Sequence, residues 1–155
     1  MSTSGTLLIT GGAGFIGSSL VAEAVGRGYR VLVLDKLTYA GHRMNLEWIA
    51  GGHTLVVGDI EDAALVADLF AKHEITGIIH AAAESHVDNS IKGSAPFIHA
   101  NIVGTHVLLE AARAAWKGDA TKRYLQVSTD EVYGTLGEEG EFTLSTPLAP
   151  NSPYA

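Results

Sequence analysis

The sequence has 155 residues, 46% of them hydrophobic and 17% charged, with a net charge of −7. This length and balance support one globular domain with a real core and exclude a disordered chain. The acidic charge argues against a nucleic-acid partner, which needs a basic face, and the absence of cysteine excludes disulfides and thiolate metal sites.

Residues 6–10 form a short apolar run that predicts a first strand. Gly11-Gly12-Ala13-Gly14-Phe15-Ile16-Gly17 follows at once, and 15–27 carries apolar residues at helical spacing. A second strand is expected at 30–35, then a loop and short helix over 37–50. Strands at 54–58 and 77–81 bracket a helix at 63–73. One long helix, 96–116, leads to a fifth strand at 123–128. Beyond Gly134 the glycines and prolines predict irregular chain. Strand and helix alternate in the manner of an α/β fold, a Rossmann-like doubly wound parallel sheet. No run is long and apolar enough to span a membrane, and the first residues lack the pattern of a signal peptide, so a cytoplasmic location without membrane partners is expected.

The glycine-rich turn meets the spacing of a dinucleotide fingerprint. Such a turn must be tight, must keep Cβ atoms away from a pyrophosphate, and must let the helix pack closely on the strand. The helix N-terminus then offers unpaired N–H groups to phosphate. Asp35 closes the second strand at the distance where a carboxylate can accept both hydroxyls of an adenosine ribose and repel a 2′-phosphate. That favours NAD over NADP. A glycine turn in some other α/β fold, with Asp35 a solvated strand end, is the plainer alternative. Asp59-Ile60 follows the third strand, where an acid and an apolar residue can bracket an adenine. Ala81-Ala82-Ala83-Glu84-Ser85-His86 follows the fourth, with small residues that let the chain pass close to a cofactor.

Ser128-Thr129-Asp130-Glu131-Val132-Tyr133-Gly134 sets a hydroxyl and two adjacent carboxylates at the end of the fifth strand. In open α/β sheets ligands collect at such ends, and paired acids there suit acid–base chemistry. Acids that merely cap a following helix are the competing explanation. Seven histidines raise the question of a metal, but none forms the close pairs of zinc sites, so no metal is expected. Trp48 and Trp116 are expected as packing residues.

The turn Thr10 to Gly17 is similar to the cofactor turn of the extended short-chain dehydrogenase/reductase family. Asp35-Lys36-Leu37-Thr38-Tyr39-Ala40-Gly41, Ala83 to Asp88, Asn101-Ile102-Val103-Gly104-Thr105 and Ser128 to Gly134 resemble, within it, the nucleotide-sugar 4,6-dehydratases that act on dTDP-glucose. Asn151-Ser152-Pro153-Tyr154-Ala155 resembles the start of a Tyr-x-x-x-Lys motif. The resemblance implies a hydro-lyase with bound NAD that makes a 4-keto-6-deoxy sugar, acting in deoxysugar biosynthesis. It implies Tyr154 as base at the C4 hydroxyl, Thr129 as hydrogen-bond donor to the same oxygen, Glu131 as base at C5 and Asp130 as acid at the C6 hydroxyl. It implies an NAD site lined by Gly11, Gly12, Gly14, Phe15, Ile16, Gly17, Asp35, Lys36, Thr38, Asp59, Ile60, Ala81, Ala82, Ala83, Ser85, Ala100 and Tyr154, with Ser85 and Thr129 also touching substrate. It further implies a homodimer for the full-length protein.

A phenol at its ordinary pKa is a poor base at neutral pH and needs a nearby cation. The motif's lysine, four positions after Tyr154, lies beyond residue 155. Residues 1–155 are therefore expected to be an incomplete NAD-binding Rossmann domain without its substrate-binding part, inactive alone, with the fifth strand at a sheet edge. Two alternatives stand beside this expectation. One is another extended-family enzyme, either a UDP- or CDP-sugar dehydratase or a 4-epimerase. The other is a non-catalytic NAD-binding module.

Overall fold

A computed structural model of the chain describes residues 5–155. Five strands, β1 (Thr6–Thr10), β2 (Arg30–Asp35), β3 (His53–Val57), β4 (Ile75–His80) and β5 (Arg123–Gln126), form one sheet in the order β3-β2-β1-β4-β5, and every pairing is parallel. Parallel neighbours need a crossover, and the crossovers are α1 (Phe15–Gly26), α2 (Met44–Glu47), α3 (Ala63–Lys72), α4 (Val87–Lys92), α5 (Ala95–Phe97) and α6 (Thr105–Trp116). The chain winds outward from β1 through β2 to β3, then returns to place β4 on the other side of β1. This reversal opens a crevice at the carboxyl ends of β1 and β4.

Both faces of the central strands are covered, which is why they read as continuous apolar runs. Successive side chains alternate between faces. Leu8, Leu32, Leu34 and Ile78 pack with Val66 and Leu69 of α3 and Leu108 and Ala112 of α6. Ile9, Val31 and Val33 turn the other way, onto Val21 and Ala24 of α1 and onto Leu46 and Ile49 at α2. The strand at the far edge, β5, is mostly exposed, and Leu125 is 56% accessible. Trp116 packs edge-on against Phe70 and donates its indole N–H to the Ile75 carbonyl at 2.9 Å. Trp48 departs from its expected packing role, since it is 67% exposed.

The long helix expected over 96–116 is present but not uniform. α5 passes into a π-helical segment, Ile98–Gly104, before α6 resumes an α-helix. Thr105 donates its hydroxyl to the Asn101 carbonyl at 2.7 Å, a side-chain bond that competes with the regular backbone ladder. Gly104 meanwhile lies against Ile60. The widened turn sets Ala100 and Asn101 toward the crevice, in keeping with the tendency of π-bulges to occur at functional positions. Apolar periodicity is nearly the same for α and π turns, so the sequence pattern does not distinguish them. α4 and a 3₁₀ turn, Asp130–Tyr133, add two short elements that the periodicity does not announce.

Candidate functional site

Two adjoining clefts occupy the carboxyl end of the sheet. The first, about 620 Å³ and open to solvent, is lined by the glycine turn, by the ends of β2 and β3, and by the loop after β4. Its floor depends on close backbone approach. Gly11 adopts a φ of +67°, and a Cβ there would lie 2.7 Å from the backbone of Ala82. The turn is held from the side by Asp35, which is buried. Its Oδ2 accepts the Ala13 N–H at 2.9 Å and its Oδ1 the Leu37 N–H at 2.8 Å. Each carboxylate oxygen has a second acceptor site, so Asp35 can brace the turn and still receive a ligand's hydroxyls. Lys36 pairs with Asp59 at 3.2 Å along the adjacent wall. No side chain caps α1 and no acid sits in its first turn, which leaves the positive end of the helix available to an anion.

The second cleft, about 970 Å³, shares Ala82 and Ala83 with the first and extends to Thr129, Val132 and Tyr154. Val127 donates to the His80 carbonyl at 2.9 Å, so the segment after β5 stays against the sheet end. Thr129 then caps the 3₁₀ turn, its Oγ1 accepting the Glu131 N–H at 3.3 Å. An accepting hydroxyl keeps its own O–H to donate elsewhere. The hydroxyl of Thr129, and neither carboxylate, is therefore the cap. Ala149 donates to the Val132 carbonyl at 3.0 Å and draws the last residues alongside. Tyr154 packs edge-on against Phe97, with ring centroids 6.5 Å apart, and faces the same cleft as Thr129.

A polar chain runs from the buried Thr10 and His80 out to Thr105, Asn101 and Glu84 on the cleft walls. His80 Nδ1 is 2.6 Å from Thr10 Oγ1, and its Nε2 is 3.0 Å from Thr105 Oγ1. Because Thr105 donates to the Asn101 carbonyl, it must accept from His80, so the imidazole carries its proton on Nε2. Nδ1 then accepts from Thr10, whose oxygen in turn accepts the Ala82 N–H at 3.3 Å. Asn101 completes the chain by pairing with both the N–H and the carbonyl of Glu84, each at 2.9 Å. Every link is satisfied, and together they fix the β4 loop against β1 and the π segment.

Burial pushes the His80 pKa down from 6.5 to about 4. An unfolded chain therefore binds more protons than the folded one between those values, and stability present above pH 6.5 is lost as pH falls towards 4. Between pH 7 and pH 5 we expect a loss of about 2 kcal/mol from this group alone. Denaturant melts at the two pH values check it, and His80→Asn should flatten the slope while lowering stability at pH 7.

Of the residues expected at a cofactor, Gly11, Gly14, Asp35, Lys36, Thr38, Asp59, Ile60, Ala81, Ala82, Ala83 and Ala100 line the first cleft. Gly12 and Gly17 lie buried behind the turn, and Phe15 and Ile16 stand on the outer surface of α1 at 90% and 59% exposure. Ser85 is exposed and lines neither cleft. Thr129 and Tyr154 share the second cleft, whereas Asp130 and Glu131 sit beside it on the 3₁₀ turn. Gly41, Phe97 and Thr105, to which the sequence assigns no role, also line these clefts, as does Glu84, which lies within the stretch Ala81 to Ser85 expected beside the cofactor. Glu84 and Thr105 stood within recognised strings, but only the fold shows what they face. Among the described residues no group of three or more histidines or acids is placed to hold a metal, and no helix is long and apolar enough to cross a membrane.

A parallel sheet ordered 3-2-1-4-5, with a glycine turn after β1 and an acid ending β2, defines a Rossmann-type α/β domain. The comparisons place it more closely: the chain belongs to the GDP-mannose 4,6 dehydratase family, whose model matches residues 8–155. It is 55% identical, over 97% of its length, to a dTDP-glucose 4,6-dehydratase of Xanthomonas campestris pv. campestris (strain B100), of which it covers 45%. Among solved structures it is similar to a dTDP-glucose 4,6-dehydratase of Streptomyces venezuelae crystallised with NAD, at 47% identity and a TM-score of 0.84, covering 96% of this chain and 47% of that one. A UDP-glucose 4-epimerase from Brucella ovis in complex with NAD gives 30% identity and a TM-score of 0.85, covering 97% and 43%. The chain thus spans about half the length of the relatives it matches.

Proposed function

We propose that this chain supplies the NAD site and the acid–base residues of a dTDP-glucose 4,6-dehydratase. The observation that carries the proposal is the placement of Thr129 and Tyr154 in one cleft, with Asp130 and Glu131 on the adjoining turn, directly beside the glycine-turn cleft. Epimerase and dehydratase relatives share the scaffold, so the fold does not choose between them. The two acids favour the dehydratase, because an elimination needs a base at one carbon and an acid at the next.

The lining of the first cleft supports NAD: a tight turn, an uncapped helix end and a buried carboxylate at the end of β2 that can take up ribose hydroxyls. Gly11, Gly14, Asp35, Asp59 and Ala81 to Ala83 would hold it, and when bound it supplies a hydride acceptor for C4 and a donor for C6. The remaining steps belong to side chains. Tyr154 takes the proton of the C4 hydroxyl, and Thr129 steadies that oxygen with its free O–H. Oxidation at C4 acidifies the C5 proton, which Glu131 removes. Asp130 gives its proton to the C6 oxygen, which leaves as water. A cation near Tyr154 is required to make the phenol basic at neutral pH.

The test is to supply the complete gene product with NAD and dTDP-, UDP- or CDP-glucose. The alkali-absorbing 4-keto-6-deoxy product is expected from dTDP-glucose. Inversion at C4 without loss of water would favour the epimerase and sink the proposal, and NAD binding with no turnover of any sugar would favour a non-catalytic module.

A further inference from the structure

Two loops form opposite rims of the first cleft, and both are firmly anchored. On one side the Gly41 N–H bonds the Thr38 carbonyl at 3.2 Å, closing a turn with Tyr39 at its tip. Leu37 is tied to Asp35, and Gly41 sits so close that a Cβ would lie 2.6 Å from the same carboxylate. On the other side Asn101 clamps Glu84 through both backbone groups. Between these rims the Tyr39 hydroxyl donates to Glu84 Oε2 at 3.1 Å. The His86 ring packs beside Tyr39, centroids 5.9 Å apart and tilted by 36°.

Tyr39 is 59% exposed, while Thr38, Ala40, Gly41, Ala83 and Glu84 line the cleft, so the bond runs along the solvent side of the opening. Among the described residues no other hydrogen bond joins these two loops. Burial, and then the charge of Glu84, hold the Tyr39 phenol above its ordinary pKa.

We propose that the Tyr39–Glu84 bond is a gate on this cleft, which must break for a dinucleotide to enter or leave. The proposal rests on reading the cleft as the NAD site. A gate that closes over the filled and the unfilled cleft alike slows entry and exit by the same factor. Such a gate does not limit a reaction in which hydride returns to the same sugar, since the cofactor need not exchange between turnovers. It would instead retain the dinucleotide by its adenosine half while elimination proceeds.

Stopped-flow mixing of the complete, nucleotide-free protein with NADH, followed by the fluorescence of the dinucleotide, tests this directly. Tyr39→Phe keeps the ring and its contact with His86 but removes the hydroxyl. Association and dissociation rate constants should both rise about three- to tenfold, as loss of one exposed hydrogen bond allows, with Kd unchanged. Glu84→Gln, which still accepts but without charge, should give a smaller rise of the same kind. Faster dissociation alone, with a weaker Kd, would show a simple ligand contact and overturn the gate. Unchanged rates in Tyr39→Phe would overturn it as well. Failure of the unsubstituted protein to bind NADH would instead sink the NAD reading, and the gate with it.

Discussion

Replacing Glu131 by glutamine is expected to lower turnover by about 10²- to 10⁴-fold while leaving oxidation at C4 measurable. Glutamine matches glutamate in shape and cannot take up the C5 proton. The 3₁₀ turn should survive the change, because its closing bond runs from the Glu131 backbone N–H to Thr129 Oγ1 and leaves the side chain out of it. Two measurements separate the steps. Hydride loss from C4 is read from the absorbance of reduced nicotinamide, and proton loss from C5 from solvent deuterium appearing in recovered sugar. Glu131→Gln should retain the first and lose the second. Asp130→Asn should retain both and lose water elimination, since its proton is wanted one step later. Wild-type C5 exchange in Glu131→Gln would remove the base from its assigned place, whatever became of the overall rate.

The sequence carries the sheet because each central strand must be apolar on both faces, and the short apolar run Val31-Leu32-Val33-Leu34 meets that demand. The glycine turn and Asp35 are legible for a similar reason. Both answer to local backbone geometry, and apart from Ala82 beside Gly11 their partners lie within about one βαβ unit. What the sequence hides is contact at long separation. The sequence predicts Asp35 for a ribose, but only the fold shows that it braces the turn after β1 through the Ala13 N–H. His80 is one of the seven histidines of the sequence, and nothing in its neighbourhood along the chain announces that it is fully buried between two threonines from distant parts of the chain. Asn101 was noted only within a string. Its amide clamps the loop that forms one rim of the cleft, and no periodicity reports a side chain bonded to backbone seventeen residues away. The acids at 130 and 131 were visible as a pair, but whether they or Thr129 capped the turn depended on geometry that spacing does not contain.

Gly17→Ala should damage both fold and binding, more than any other single methyl group added to the glycine turn. An alanine Cβ at 17 would fall 2.0 Å from the Gly11 carbonyl oxygen and 2.7 Å from Gly12 Cα, and both are backbone atoms in a turn that has no slack. Relief requires α1 to move away from β1, against Val21 and Ala24, which sit in the core beside Val33. We expect a loss of about 3 kcal/mol or more, at the upper end for overpacking. NAD affinity should fall with it, because the displaced turn carries Gly14 and the end of α1 out of register with Asp35. Two other glycines make the comparison informative. Gly26→Ala, at the end of the same helix with nothing within 4 Å, should be neutral or stabilising by up to about 1 kcal/mol. Gly14→Ala meets its nearest neighbour at 3.3 Å, so the fold should tolerate it, yet the new methyl group lies at the cleft wall. Thermal melts and NAD titrations of the three variants should therefore separate. The substitution at 17 lowers both quantities, that at 14 lowers affinity alone, and that at 26 lowers neither. Full stability in Gly17→Ala would mean that α1 can slide on the sheet, and the close packing of turn, helix and strand would lose its physical basis.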